Sequence, residues 1–268
     1  MVMSFRSPRD IEVKFKRSLG VIGPLMCVAD MASKELINKT TNDDMSKLLK
    51  RYNHRNLNLK KVDLSNVRLY VNLAHIAYIN SRAEMFCEDV VEFIKVHTGN
   101  SENYNMETLD FLRKCIFHVH ARKKHLPKNT KKPSENELFS YSGKEELLVI
   151  DYFRKLRNSE FHGGVEDIIS VDEEDNELIF KKFGRHLCDF HQIDIRDVIL
   201  YSMAWQSAAK KICSKLVNID AKFLDDLKRR YVNLSPERLN NAMRQKLTHD
   251  YLQSADLVDI LEKNGWVA

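Results

Sequence analysis

Apolar residues recur at intervals of three and four along most of the chain, which is the spacing of one face of an α-helix. The strongest pattern predicts a long helix over residues 65–97, with two apolar stripes. A helix that buries two sides is typical of the centre of a bundle. The first stripe is Leu69, Leu73, Ile76, Ala83, Phe86, Val90 and Ile94, and the second is Val67, Val71, Ala74 and Tyr78.

Shorter periodic segments predict further helices on both sides of the long one. A helix that begins at Gly23-Pro24 has an apolar stripe of Leu25, Val28, Ala29, Ala32 and Leu36. The remaining predicted helices cover about residues 45–52, 106–121, 143–162, 194–216, 221–231, 236–253 and 255–263. Ser142 and Glu145 have the spacing of a capping box at the start of the predicted helix over residues 143–162. Residues 122–140 are predicted to form a loop, and residues 168–183 a hairpin or an irregular excursion.

These elements define the expected fold class. The chain has only 8 glycines and 5 prolines among 268 residues, which favours helices over a many-turned β architecture. We expect an all-α protein: a bundle of four core helices over residues 64–216, with helical extensions at 1–63 and 217–268. A small hairpin or irregular insertion would follow the bundle's third helix.

Charge is unevenly distributed, although the net charge is only +5. Residues 113–132 contain eight lysines and arginines and no acid, which is a segment that attracts polyanions. A solvated loop is the simpler explanation for a charge run taken alone. The five cysteines form no CxxC pair and the N-terminus has no apolar leader segment. We therefore expect a cytoplasmic protein with reduced thiols and no membrane association.

The segment with the clearest chemistry is Leu156-Arg157-Asn158-Ser159-Glu160-Phe161-His162-Gly163-Gly164. Arginine binds phosphate with a forked set of donors, and histidine exchanges protons near neutral pH. Positions 157 and 162 of a straight helix lie about 140° apart, so their side chains cannot converge on one atom. Either the helix loosens at Phe161 and lets His162 turn back, or a second subunit supplies the partner groups.

The run Arg157-Asn158-x-x-x-His162, at the end of a helix in an all-helical chain, resembles the HEPN family of helical ribonucleases and nucleotide-binding proteins. The resemblance covers about 150 residues and implies a four- or five-helix bundle that dimerises with its two motifs face to face. It also implies metal-independent cleavage of RNA, with His162 as acid or base, Arg157 as phosphate clamp and Asn158 as a positioning residue. Many members act in toxin–antitoxin or abortive-infection defence, so an antitoxin or a sensor protein is an expected partner. No tyrosine follows closely after His162, unlike in one toxin subgroup.

Other residues are weaker candidates for the same site. Glu84 would orient Arg157 across the bundle, and Arg154 lies on the row of Asn158 and His162. A basic set would steer RNA toward the motif: Arg122, Lys123, Lys124, Lys128, Lys131 and Lys132. Two groups have potential metal ligands, His118, His120 and His125 in one and His186, Cys188 and His191 in the other. Neither has a second pair at a familiar zinc spacing, so we expect no metal and no cofactor.

Two non-catalytic functions remain open at this stage. The same bundle would serve as a module that binds nucleic acid, a nucleotide or a protein partner, with the motif as a structural relic. A DNA-binding regulator is the third option, but no helix stands out as presenting exposed arginine, lysine, asparagine and glutamine.

Overall fold

The computed structural model describes residues 5–39, 42–53, 65–98, 109–124, 132–162 and 171–266. Within these ranges every regular element is helical, as the apolar periodicity predicts. A 3₁₀ turn lies at Phe190–Gln192 and a π-helical turn at Lys246–Asp250. The α-helices are α1 (Pro8–Gly20), α2 (Gly23–Lys39), α3 (Asn42–Arg51), α4 (Ser65–Thr98), α5 (Phe111–Lys124), α6 (Glu135–Ser142), α7 (Lys144–His162), α8 (Glu173–Phe183), α9 (Ile195–Ser214), α10 (Ala221–Arg230), α11 (Pro236–Gln245) and α12 (Ala255–Lys263).

The long helix α4 has nearly the predicted bounds, and its main apolar stripe is in the core. Leu73, Ile76, Ala83, Phe86, Val90 and Ile94 are buried. The second stripe is only partly covered, since Val67, Val71 and Tyr78 are half-buried and Ala74 is exposed. None of the described helices combines the length and the apolar composition that crossing a bilayer requires.

The chain divides into two compact units whose boundaries cut across the three segments predicted from the sequence. Unit 1 contains Met1–Arg17, Arg82–Leu147 and Ala204–Ala268. Its core includes the aromatic residues Phe15, Phe86 and Trp205, with the ring centroids of Phe15 and Phe86 4.9 Å apart. Phe111 stacks on Trp205 at 5.7 Å. The predicted extensions at 1–63 and 217–268 thus both contribute residues to unit 1.

Unit 2 contains Ser18–Ser81 and Leu148–Met203. Tyr201 is fully buried there, and its hydroxyl donates a hydrogen bond to Asn80 Oδ1 at 3.1 Å. Its ring lies 5.1 Å from that of Phe153 on α7. The side-chain amide of buried Asn72 donates to the carbonyl of Ile193 at 3.3 Å. Unit 2 is therefore held by apolar packing together with hydrogen bonds from buried polar side chains.

The N-terminal region differs from the prediction in two respects. Helix α1 was not predicted, although Ile11, Phe15 and Leu19 are spaced by four and are buried. Helix α2 begins at Gly23 as predicted, but its apolar stripe is wrong because the helix is turned to bury other residues. Leu25, Val28 and Leu36 are exposed, whereas Met26, Asp30 and Ser33 are buried. Asp30 accepts ion pairs from Lys34 Nζ at 2.7 Å and Arg68 Nη2 at 3.4 Å.

Two segments predicted to be non-helical contain helices. Residues 135–140 belong to α6, which begins with a capping box formed by Ser134 and Glu137. Ser142 is not a cap, since its hydroxyl donates to the carbonyl of Leu138 at 3.0 Å. The predicted hairpin is wrong over residues 173–183, which form α8 behind the N-cap Asp172. Residues 168–170 of that predicted hairpin lie outside the described ranges.

The C-terminal helices α10, α11 and α12 form a small core of their own within unit 1. Leu224, Leu227, Met243, Leu247, Tyr251 and Val258 are its buried residues. Prediction places one helix over residues 236–253, but α11 ends at Gln245 and the π-helical turn follows. Leu252 then adopts a left-handed backbone conformation, with a φ of 56°, and α12 begins after the N-cap Ser254.

Candidate functional site

The Arg157-Asn158-x-x-x-His162 motif occupies the last two turns of α7. Arg157 and Asn158 are half-buried, and His162 is the last helical residue. The side chain of His162 lies outside the described part of the structure. The helix is therefore the predicted one, and the motif is placed at its C-terminal end.

Helix α7 continues without a break through Phe161 to His162. The predicted loosening at Phe161 is therefore absent. On a regular helix, position 162 lies about 140° from position 157 and about 40° from position 158. Of the two ways in which Arg157 and His162 were expected to meet, the loosened helix end is not observed, and the second, with groups from another subunit, stays a prediction.

A packed face of α7 fixes the position of the motif. Val149, Phe153 and Leu156, which are spaced by four and three, are buried, and Leu156 directly precedes Arg157. The hydroxyl of Tyr152 donates a hydrogen bond to the carbonyl of Cys188, and burial raises the pKa of Tyr152 above its usual value. Because this packing fixes the backbone of α7, the adjacent motif residues have a defined position, as a binding site requires.

Arg157 differs from Arg154 and Arg185, two other arginines of unit 2, in its ion-pair partners. Arg154 donates from Nη2 to Asp151 Oδ1 at 3.3 Å, one turn earlier on α7. Arg185 pairs with Asp194 at 3.2 Å and with Asp197 at 2.6 Å. Among the described residues, no carboxylate forms an ion pair with Arg157. Its donors therefore keep the capacity to bind an anion, whereas Arg154, predicted to support the site, already has a carboxylate partner.

Glu84 lies half-buried on α4, in the portion of that helix that belongs to unit 1. Arg157 belongs to unit 2. That Glu84 orients Arg157 therefore stays a prediction.

The basic set predicted to steer RNA is described only in part. Arg122 is half-buried and donates from Nη1 to the carbonyl of Leu216 at 2.7 Å, so one of its donors has a structural role. Burial lowers the pKa of this guanidinium. Lys132 is exposed. Lys123 and Lys124 are in the last turn of α5 with side chains outside the described part, and Lys128 and Lys131 lie outside it altogether.

The histidine and cysteine clusters form other contacts. His186 bonds Glu177 Oε1 at 2.9 Å and stacks on Phe180 at 4.3 Å. The Cys188 thiol donates to Asp197 Oδ2 at 3.3 Å, and burial together with Asp197 raises its pKa to about 12. A thiol with so high a pKa stays protonated and is a poor metal ligand or nucleophile.

The other histidine cluster is also engaged where it is described. His120 is buried and lies 3.3 Å from the Tyr141 hydroxyl, while His125 is outside the described ranges. Burial lowers the pKa of His118, and the nearby charge of Lys95 acts in the same direction. No group of three potential metal ligands is found in the ranges that the structure covers.

One feature of the molecule was not predicted at all. A pocket in unit 1 is lined by Arg9, Lys210 and Lys215, among other residues. Arg9 and Lys210 are about 200 positions apart in the chain, and neither belongs to a run of charge. No local pattern in the sequence marks such a site, because it exists only once α1 and the end of α9 are folded against each other.

Comparison of the chain with protein-family models, with curated proteins and with solved structures found no significant match.

Proposed function

We propose that the protein is a metal-independent endoribonuclease of the HEPN type, active as a homodimer. The observation that carries this proposal is the Arg157-Asn158-x-x-x-His162 motif at the C-terminal end of a packed helix, with no described carboxylate that neutralises Arg157. RNA is the substrate class because both residue types suit a phosphodiester that carries its own nucleophile.

The reaction follows from the functional groups. One His162 removes the proton of the ribose 2′-hydroxyl, and the 2′-oxygen then attacks the adjacent phosphorus. The bond from phosphorus to the 5′-oxygen breaks, and the second subunit's copy of this histidine supplies a proton to that leaving oxygen. Arg157 binds the non-bridging oxygens, where negative charge develops. The products are a 2′,3′-cyclic phosphate and a free 5′-hydroxyl.

The dimer is proposed because one chain lacks part of this machinery. A single histidine does not readily act as base and acid in one step, and helical positions 157 and 162 diverge by about 140° on one chain. Two copies of α7 that face each other bring two arginines and two histidines to one phosphate. A symmetric arrangement of this kind is the commonest form of a soluble dimer.

The biological role comes from the family resemblance. Growth arrest or antiviral defence by abortive infection is the proposed role, with an antitoxin or sensor protein as the controlling partner. The basic residues between α5 and α6, of which Lys132 is described and exposed, would draw RNA to the motif by long-range attraction.

The decisive experiment is cleavage of end-labelled single-stranded RNA in EDTA by the wild-type chain and by the variants His162→Ala and Arg157→Ala. We expect cutting by the wild type that leaves 2′,3′-cyclic phosphates. Removal of the acid or base should lower the rate by a factor of about 10² or more. Loss of the clamp should have a comparable effect, since it acts on the transition state.

Two exposed residues of the chain provide matched control variants. His191→Ala removes an exposed histidine, and Lys155→Ala removes an exposed cation from α7 itself. Both should cut RNA like the wild type. Equal cutting by His162→Ala would show that the motif is not the active site.

A non-catalytic module that binds nucleic acid, a nucleotide or a protein partner is the second candidate. The uninterrupted helix through His162 favours it, because a single chain separates the two motif residues. Absence of cleavage in a preparation shown to be dimeric would support this candidate against the ribonuclease.

A further inference from the structure

Unit 1 contains a pocket of about 690 Å³ that is separate from the motif residues of α7. Its lining combines the first turn of α1, the end of α9 with the segment after it, and the π-helical turn with the start of α12. The volume falls within the range of about 300–1,000 Å³ that is usual for sites of small molecules.

The charged groups of the lining are all basic. Arg9, Lys210 and Lys215 contribute three cations, and His249 is a fourth basic group. No carboxylate occurs among the described lining residues. Within the described part of the chain, these three cations have no ion-pair partner. Three like charges around one cavity repel one another, so a multiply charged anion would bind there favourably.

Part of the lining is apolar. Val217, Ile219, Leu252 and Leu257 provide it, and Leu252 is buried. Asn218 and Ser254 add uncharged polar groups to the lining. An apolar surface next to a cationic one matches a ligand with a flat organic ring at one end and phosphates at the other.

The walls are held in place by hydrogen bonds. Gln253 donates from Nε2 to the carbonyl of Ser214 at 2.9 Å, which joins the start of α12 to the end of α9. Thr248 and His249 lie on the π-helical turn, an irregularity that is often found at functional sites. The N-cap of α12, Ser254, and Leu257 of its first turn also line the pocket. The bond from Gln253 thus connects two of the segments that form the lining.

We infer that this pocket binds a nucleoside phosphate. A ligand with a single carboxylate would leave most of the positive charge uncompensated, whereas a di- or triphosphate matches three cations and a histidine. The apolar wall accepts the base, and the polar groups of Asn218 and Ser254 suit the sugar. Two sources share this chemistry, a free nucleotide and the 5′-phosphorylated end of an RNA. This inference does not depend on the ribonuclease activity, because no motif residue lines the pocket.

The test is calorimetric titration of the full chain carrying His162→Ala, which cannot cut RNA if the proposed function holds. The probes are ATP, AMP, inorganic phosphate, and a short RNA with a 5′-phosphate or a 5′-hydroxyl. We expect ATP to bind most tightly of the three small probes. Lys210→Glu and Lys215→Glu should each weaken ATP binding by a factor of about ten or more, since each loses a charge-assisted contact and adds repulsion.

The control substitution is Lys222→Glu, which changes the same charge at an exposed position of α10 outside the lining. It should leave ATP binding within a factor of about two, the shift that long-range screening allows. Leu257→Trp fills the apolar side without changing charge, so it should weaken ATP but not inorganic phosphate.

Each arm of the experiment has a contrary result. No binding of any probe at about 1 mM would overturn the inference. Equal binding of ATP and inorganic phosphate, unaffected by Leu257→Trp, would overturn the nucleoside part. An equal loss in Lys222→Glu and Lys215→Glu would show that binding is not in this pocket. Preference for the 5′-phosphorylated RNA over ATP would identify an RNA end as the source.

Discussion

At the scale of single residues, Gly143 is the described glycine with the least room for a side chain. It separates α6 from α7 with a φ of 91°, a conformation that other residues rarely adopt. A Cβ at this position would lie 2.0 Å from Glu146 Oε2 and 2.3 Å from Lys211 Nζ. Glu146 is fully buried and pairs with the partly exposed Lys211 at 2.8 Å, so the glycine makes room for an ion pair with a buried carboxylate.

We therefore predict that Gly143→Ala lowers the free energy of unfolding by about 2–4 kcal/mol, since it combines backbone strain with displacement of the buried Glu146 carboxylate from its ion pair. Gly20→Ala is the matched control, because a Cβ there meets nothing within 4 Å. The control should be neutral or slightly stabilising, as alanine favours a helix. Urea unfolding of both variants checks this, and similar losses in the two would contradict the proposed role of Gly143.

A second feature at the scale of single residues is a buried carboxylate, that of Asp197, with its polar partners. Asp197 is fully buried, yet it accepts hydrogen bonds from Arg185 Nε at 2.6 Å and from the Asp194 amide at 2.8 Å. Burial opposes ionisation of Asp194, but hydrogen bonds from Arg196 and the charge of Arg185 outweigh it and lower its pKa. This cluster ties the loop after α8 to the first turn of α9.

At the scale of elements, caps explain the helices that hydropathy alone did not predict. Helices α6 and α8 are short, and their apolar pattern is weak. Both begin at a residue whose side chain accepts a backbone N–H of the first turn, Ser134 in α6 and Asp172 in α8. Helix α8 also has acids in its first turn and lysines in its last, an arrangement that suits the helix dipole.

Ser134→Ala should accordingly destabilise the protein by about 1 kcal/mol, because the capping box is lost. Ser235→Ala offers the same chemical change at the N-cap of α11, where the side chain makes no capping hydrogen bond. That variant should change stability by no more than a few tenths of a kcal/mol. Chemical denaturation midpoints measure both, and a larger loss in Ser235→Ala would refute this account of capping.

Much of the fold was predictable because local periodicity reflects the face that a helix buries. The bounds of α4 and α12 and the buried face of α7 follow from their sequences. The orientation of α2 was not predicted, since hydropathy does not mark Asp30 as buried and one of its ion-pair partners, Arg68, lies on another helix. In the candidate site, sequence places Arg157 and Asn158 on α7 but says nothing about which carboxylates pair with the neighbouring arginines. Arg154 pairs with Asp151 of the same helix. The pairs of Arg185 with Asp194 and Asp197, in contrast, join the segment after α8 to the start of α9.

At the scale of the whole molecule, the proposed function needs two copies of the chain. The two motif residues that diverge on one α7 would meet only across a symmetry axis. The activity of a wild-type chain should then depend on whether its partner chain is wild type or variant. A site within one chain would show no such dependence.

Mixing provides that test. Wild-type and His162→Ala chains are unfolded together and refolded at different ratios, with total protein held constant. If one site uses both histidines, mixed dimers are inactive, and cutting per wild-type chain falls to about one half at equal mixing and about one tenth at a ninefold excess of the variant. His191→Ala chains should produce no such fall. Constant activity per wild-type chain would indicate that each chain acts alone.

Because α2 buries other residues than its predicted apolar stripe, its exposed face is a suitable place for surface substitutions. Leu25, Val28 and Met31 are each more than half exposed, so they contribute little to the core. Charged residues there would remove adhesive apolar surface with little loss of stability. The same substitutions at Met26 or Asp30 would disturb packing or buried ion pairs. A hydropathy-guided redesign of this helix would choose the wrong side.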